Sequence, residues 1–393
     1  MIFQEPALTE EDGYVLTLIE QQRARLRMFT QGAPRRWSGS LRRLSFARNI
    51  QASNSIEGID ATIDQAVAAV EEEPPLDPRD ADALAVMGYR NAMTYVMQAA
   101  SDPGLEISKQ FLKGVHFMMT SYDMKCRPGL FRPGSIRVVS DKDERVVYEA
   151  PDADAIDSLC DELVSYLSAG RRAIHGIEAG QAAYAIVRGA MAHLNLVMIH
   201  PFSDGNGRMS RALQTFVLAK ESGAIDPVFA SIEEWLGANT DDYYEILGAV
   251  GQGKWNPQNS ALTWIRFCLK AHYQQAQRIL QRNEEYGKLF EAIEKLVAGA
   301  RLPKRCEIPL FDAALGLRLT NPRYVKLAEV EPYTATRELK LLVNAGLLLS
   351  QGEKRGRVYL RTPILAELRT KTRAPKKIVD PYTLKPKDPQ LPF

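Results

Sequence analysis

The chain has 393 residues, 45% hydrophobic and 25% charged, with a formal net charge of +2, the balance of a globular protein long enough for two or three packed domains. So small a net charge excludes a whole-molecule field for nucleic acid or membrane, and any such surface must be local. Cys126, Cys160, Cys268 and Cys306 are too scattered for a disulfide framework, no basic-then-apolar leader opens the chain, and no apolar run approaches the ~20 residues of a membrane span; the expectation is a soluble protein of the reducing cytoplasm.

Apolar residues at three- and four-residue spacing predict helix over 11–30 and again over 38–72, the latter carrying Leu41, Leu44, Ile63, Val67 and Val70. Glu73-Pro74-Pro75 then ends the pattern, because proline cannot continue a helix and biases its predecessor toward extended geometry. Helices resume over 79–101 and 107–120. Pro128-Gly129 and Pro133-Gly134 punctuate the next stretch. There Ile136-Arg-Val-Val139 and Arg145-Val-Val-Tyr148 flank the polar Asp141-Lys-Asp-Glu144, the pattern of a β-hairpin. Further helices are expected over 153–168, 178–199, 208–222, 241–250 and 258–300, the second with Val187, Ala190, Met191, Leu194 and Met198 in one stripe. A different rhythm follows, with helices at 308–317, 324–328 and 334–344. Strands at 347–350 and 358–361 then surround Gln351-Gly-Glu-Lys-Arg-Gly-Arg357. From about 366 the chain is rich in lysine and proline and reads as an extended tail.

The chemistry concentrates in His200-Pro-Phe-Ser-Asp-Gly-Asn-Gly-Arg-Met-Ser-Arg211. Pro201 stops the preceding helix, which presents His200 at a helix end. Gly205 and Gly207 bracket Asn206 and let the backbone turn tightly against a ligand. The next helix begins here, and its unpaired N–H groups and dipole favour an anion. Arg208 and Arg211, three apart, can grip phosphate oxygens, and Asp204 offers a hard oxygen suited to Mg²⁺. A base, a metal carboxylate, an anion cradle and two cations within one short run converge on phosphate chemistry.

The run resembles the signature of the Fic (Fic/Doc) family, His-Pro-Phe-x-Asp-Gly-Asn-Gly-Arg-x-x-Arg, at every fixed position. The resemblance implies a mainly α fold: a helical core over about 105–255 with a small β-hairpin flap, preceded by a helical region 1–104. It implies transfer of AMP from ATP to a Ser, Thr or Tyr hydroxyl of a protein, with pyrophosphate leaving. His200 would be the base and Phe202 the loop's anchor. Asp204 would hold Mg²⁺ (or Mn²⁺), Gly205, Asn206 and Gly207 would cradle phosphates, and Arg208 and Arg211 would neutralise them. The intact glycines favour AMP transfer over phosphate transfer. The hairpin corresponds to the family's flap, which pairs with the target's backbone by strand addition. Tyr243 or Tyr244 would line the adenine pocket or serve helix packing.

Ser53-Asn-Ser-Ile-Glu57-Gly58 resembles the family's inhibitory sequence, in which the glutamate pairs with the second arginine, here Arg211. The alternative is a capped helix turn ended by Gly58. The resemblance further implies that some members use this glutamate to remove AMP, so a de-AMPylating enzyme stays open. Homodimers are common in the family, although no interface is identifiable in the sequence, and the substrate could be a second protein or the chain itself. After linking helices over 256–300, residues 301–365 look like a winged helix-turn-helix module, followed by a basic tail over 366–393. Lys354, Arg355 and Arg357 would lie in its wing. Its partner is duplex DNA or a protein, and Glu338 among Arg337 and Lys340 makes the helix only modestly basic. A DNA-binding regulator with a nucleotide-sensing core is therefore the second function class.

Overall fold

The computed structural model describes all residues except 32–35, 76, 78, 140–143, 170–173, 175–176, 178–179, 223–225, 354–355, 374–376 and 385–393. The chain packs as two compact units, one formed by 1–32, 44–277 and 378–393, the other by 33–43 and 278–377. Neither is a continuous stretch. The linear division expected from the sequence thus misses that 33–43 joins the C-terminal residues and that the tail returns to the first unit.

The first unit is helical: α1 (Glu10–Gln31), α2 (Ser38–Ile56), α3 (Ile63–Val70), α4 (Ala81–Ser101), α5 (Lys109–Thr120), α6 (Ile156–Ser168), α7 (Gln181–Ile199), α8 (Asn206–Ser222), α9 (Pro227–Ala230), α10 (Glu233–Ala238), α11 (Thr240–Gly251) and the start of α12 (Leu262–Gly299). Periodicity ran straight through 38–72, but the structure breaks it at Gly58, whose φ of +75° suits a residue without a side chain. Thr62 then restarts the helix through a capping box, its hydroxyl accepting from Gln65 N–H at 3.2 Å.

At the centre lies α7. Its window 182–199 is long and apolar enough to cross a membrane, which the sequence reading had not recognised, yet 89% of it is buried within the protein. The apolar stripe is completed by Ala185, Ile186 and Leu196, so the helix has no wet face and reads as a core helix. Helix α8 packs on α7 and on α4, and α4 on α5. Trp264 of α12 donates its indole N–H to the Ala190 carbonyl at 2.7 Å. The expected hairpin is present as β1 (Arg137–Val139) and β2 (Val146–Glu149), antiparallel, with a bulge after Val138. Its turn residues 141–143 lie outside the described residues.

Residues 378–384 close the first unit. Lys270 pairs with Asp380 at 2.9 Å, and Tyr382 donates to Asp12 at 3.0 Å. Asp12 is buried, which opposes its charge, but Arg266, Thr9 and Tyr382 outweigh that and hold its carboxyl below the ordinary carboxylate value.

The second unit contains the rest of α12, α13 (Glu307–Ala314), α14 (Asn321–Ala328), α15 (Pro332–Asn344), the antiparallel pair β3 (Leu348–Gln351) and β4 (Val358–Arg361), and α16 (Pro363–Thr372). The tail expected to be extended from 366 is therefore helical to Thr372, because Pro363 takes the first helical position, where its missing N–H costs nothing. Arg369 of α16 pairs with Glu285 of α12 at 2.7 Å, which gives that helix a fixed partner. Arg43 donates to Asp312, and Trp37 to Asn283 at 3.1 Å, which is how 33–43 joins this unit. Lys354 and Arg355, expected in the wing, lie outside the described residues; Arg357 is exposed.

Candidate active site

Helix α7 ends at His200, whose φ of 52° and ψ of 56° are left-handed, with Pro201 preventing further helix. The imidazole Nδ1 lies 3.1 Å from the Val197 carbonyl. A carbonyl can only accept, so Nδ1 carries the proton and donates, which leaves Nε2 with a free lone pair. Burial lowers the His200 pKa below its ordinary value, against the opposing pull of the Val197 carbonyl and of Glu57. The ring is thus neutral at physiological pH.

The loop 201–205 is rigid for reasons visible atom by atom. Phe202 is fully buried and its ring stacks on His116 of α5, centroids 3.8 Å apart and planes within 5°. His116 accepts the Gly129 N–H at Nδ1 (2.9 Å) and donates from Nε2 to the Asp204 carbonyl (3.1 Å). Burial pushes its pKa down to about 4, so it stays neutral while holding the loop. Asn206 spends its side chain on Phe202, accepting from its N–H and donating to its carbonyl, both at 2.9 Å. Any contact of Asn206 with a phosphate is therefore through its backbone.

Gly205 caps α8. Its φ is +75°, and an added Cβ would meet Thr120 at 3.3 Å. The first backbone N–H of α8 inside the ladder is that of Met209, bonded to Gly205 at 2.9 Å, so those of Asn206, Gly207 and Arg208 form the open positive end of the helix. Arg208 and Arg211 are both almost wholly buried. Arg208 donates to the Tyr122 hydroxyl at 3.3 Å and lies 3.5 Å from Asp204, whose carboxylate is half exposed and also accepts from the Cys126 thiol at 3.4 Å.

Arg211 is held by three acceptors on two residues of the 53–58 segment. Its Nε donates to the Ser53 hydroxyl (2.7 Å), and its Nη2 donates to the Ser53 carbonyl (2.8 Å) and to the Glu57 carboxylate (2.7 Å). Burial opposes the guanidinium's charge, but the Glu57 carboxylate outweighs it and raises the Arg211 pKa. Arg211 Nη1 has no partner among the described residues. A Cβ on Gly207 would meet Glu57 Oε1 at 2.2 Å and Arg211 Nη1 at 3.2 Å, so the carboxylate and an unsatisfied cationic donor both lie against the start of α8.

Arg132 ties this machinery to the hairpin. Its guanidinium donates to the His200 carbonyl (2.8 Å) and to the carbonyls of Gly134 and Pro151, which flank β1 and β2; its own N–H donates to Pro201 at 2.9 Å. Arg132→Ala leaves three carbonyls without this donor. At about 1–3 kcal/mol for each unsatisfied buried group, and with water reaching some of them, we expect a loss of about 2–4 kcal/mol. A urea titration would show this as a lower midpoint at unchanged slope. A wild-type midpoint would mean the strap contributes nothing.

The two tyrosines separate. Tyr243 is buried, donating to His193 Nε2 at 3.0 Å while His193 Nδ1 donates to Gln214 at 2.7 Å; burial lowers His193 to about 3. The Tyr243 ring lies in the core, with the Arg211 guanidinium close to its hydroxyl. Tyr244 is 50% exposed and donates to the Ile56 carbonyl at 2.9 Å, next to Glu57. Sequence reasoning passed over His116, Arg132, His193 and also Glu233, a buried carboxyl on Tyr89 (2.7 Å) that burial pushes up to about 7 despite nearby Arg211.

Residues 106–218 match the model of the Fic/DOC family. A protein adenylyltransferase Fic of Nematostella vectensis is 25% identical over 228 residues, 58% of this chain and 47% of that protein. One from Aedes aegypti is 23% identical over 214 residues, 54% of this chain and 38% of its own. The chain thus spans less than half the length of these relatives. Among solved structures, a Fic family protein from Desulfovibrio desulfuricans superposes with a TM-score of 0.57 at 19% identity, covering 92% of this chain and 98% of that one. Fic-1 from C. elegans gives 0.51 at 21% identity, covering 68% and 72%. These likenesses show that the fold is the mostly helical Fic fold.

Proposed function

We propose that the chain is a protein adenylyltransferase, moving AMP from ATP to a hydroxyl of a protein substrate, and that Glu57 restrains it. The observation that carries this reading is the lone pair on His200 Nε2. It stands one short loop from the open end of α8, where two buried arginines and three backbone N–H groups await an anion. The naming of the curated relatives supports AMP as the group transferred.

The substrate hydroxyl gives its proton to His200 Nε2 as its oxygen attacks the α-phosphorus. The bond from the α-phosphorus to the bridging oxygen breaks, and pyrophosphate leaves with that electron pair. Arg208, the N–H groups of Asn206 and Gly207, and Arg211 hold the β- and γ-phosphate charge. Asp204 would supply one half-exposed carboxylate oxygen to a metal ion. That suits Mg²⁺, which usually takes one or two carboxylates and completes its shell with phosphates and water. When bound, such an ion supplies further neutralisation of phosphate charge. Strand β1 pairs only with β2 among the described residues, so its other edge can take an extended target segment, with Val139 exposed beside it.

ATP labelled at the α or γ position tests the reaction type. Label reaching protein from the α position alone supports AMP transfer; label from the γ position, or from neither in a Glu57→Gly variant, sinks it.

A further inference from the structure

The most prominent feature unused by this chemistry is one face of α15. Helix α14 and helix α15 are joined by the three-residue turn 329–331, with Glu329 left-handed at φ 53°, and the pair is followed by the β3–β4 hairpin. Leu319 exchanges both backbone hydrogen bonds with Tyr359 of β4, at 3.0 and 2.8 Å, which ties the hairpin to the segment before α14. Two short helices around a tight turn, with a hairpin beside them, are the layout in which the second helix is offered to a groove.

Helix α15 buries Ala335, Glu338, Leu339 and Leu342. On the opposite side Tyr333, Arg337, Lys340 and Asn344, three or four residues apart, form one exposed stripe of about three turns, roughly 16 Å long. Tyr333 is 82% exposed, and none of the four side chains makes a hydrogen bond or ion pair among the described residues. The helix's one acidic residue does not dilute the stripe as the sequence suggested. Glu338 is fully buried; it accepts from Arg305 Nε at 2.9 Å and from the Tyr324 hydroxyl at 3.0 Å.

We propose that α15 is a recognition helix for duplex DNA, with Arg337 and Lys340 at its centre. The stripe holds four groups able to donate hydrogen bonds, two of them cationic, and no carboxylate. Guanine O6 and N7 suit Arg337, adenine N6 and N7 suit Asn344, and phosphates suit Lys340. A protein-docking face is depleted of lysine and has an apolar centre. Here the one large aliphatic side chain that is exposed on α15, Leu341, sits at the rim and is 41% exposed. The assignment does not depend on the activity proposed above.

The test uses the full chain and a fluorescent duplex of randomised sequence, titrated from 50 to 200 mM salt. Wild type should bind with an affinity that falls steeply with salt. Arg337→Ala/Lys340→Ala should bind about tenfold or more weakly, with a log–log slope shallower by about 2. Neither residue belongs to the catalytic machinery, so AMP labelling by the double variant should match wild type and report that the chain is folded. No duplex binding by wild type, or binding that the double variant leaves unchanged in affinity and slope, overturns the assignment; a protein partner retained by wild type and lost by the variant would do the same.

Discussion

Replacing Glu57 by glycine is expected to raise AMP incorporation about 10- to 100-fold. The carboxylate meets Arg211 Nη2 at 2.7 Å, where the arginine side chain is wholly buried and the glutamate's only 23% exposed, so solvent screens the pair little. A charge-assisted hydrogen bond in such a place is worth about 1.5–3 kcal/mol, which corresponds to one to two decades of rate if ATP must break it to reach Arg211. Removal of the carboxylate should not release the arginine. Ser53 still accepts from Nε and Nη2, so the guanidinium stays aimed while the one Nη2 hydrogen that Glu57 held joins Nη1 in facing phosphate. Space changes as well as charge, since Glu57 Oε1 lies against Gly207 at the mouth of α8. Initial rates from α-labelled ATP check this. An unchanged rate for Glu57→Gly would mean that the contact is structural.

His200→Ala should reduce the same rate by about 10²- to 10⁴-fold, the usual contribution of a positioned general base. ATP binding should survive, because the arginines and the α8 N–H groups do not depend on the ring. The pH profile carries a second signature. The histidine acts when neutral, and burial sets its pKa below 6.5, so the rate should be flat through neutrality and fall only as pH drops beneath that value. Glu57 is among the charges that raise this pKa. The acid limb should therefore lie lower still in Glu57→Gly than in wild type. A His200→Ala protein with near-normal rate, or a limb that moves upward, would remove His200 from the role of base.

The site could be read from sequence only where its parts are contiguous. Residues 200–211 lie on one helix end, one loop and one helix start, so their chemistry shows in a single line of text. The residues that position them come from elsewhere. His116 on α5 and Arg132 before the hairpin look like any isolated histidine and arginine until folding stacks one on Phe202 and strings the other across three carbonyls. Neighbouring Tyr243 and Tyr244 leave α11 about 100° apart, and although their rings still touch, centroids 5.3 Å apart, only packing decides which of them is buried. Among the helices, long periodic segments were legible, but α9 and α10, four and six residues long, end before the period can repeat and were not. The break at Gly58 could be read from the glycine itself, as the end of a helix turn, but not from the apolar spacing, which continues across it.

The return of residues 378–384 to the first unit bears on how the chain is made. Asp12 on α1 is buried, and its partners Arg266 and Tyr382 are encoded far downstream. At translation speeds of about 5–20 residues per second, the first helix must wait roughly 20–70 s for the tyrosine that completes its surroundings. Until then Asp12 lacks one of its hydrogen-bond donors, although His200 and Arg211 have already been synthesised. The docking of 378–384 against α1 therefore cannot precede synthesis of everything that lies between them.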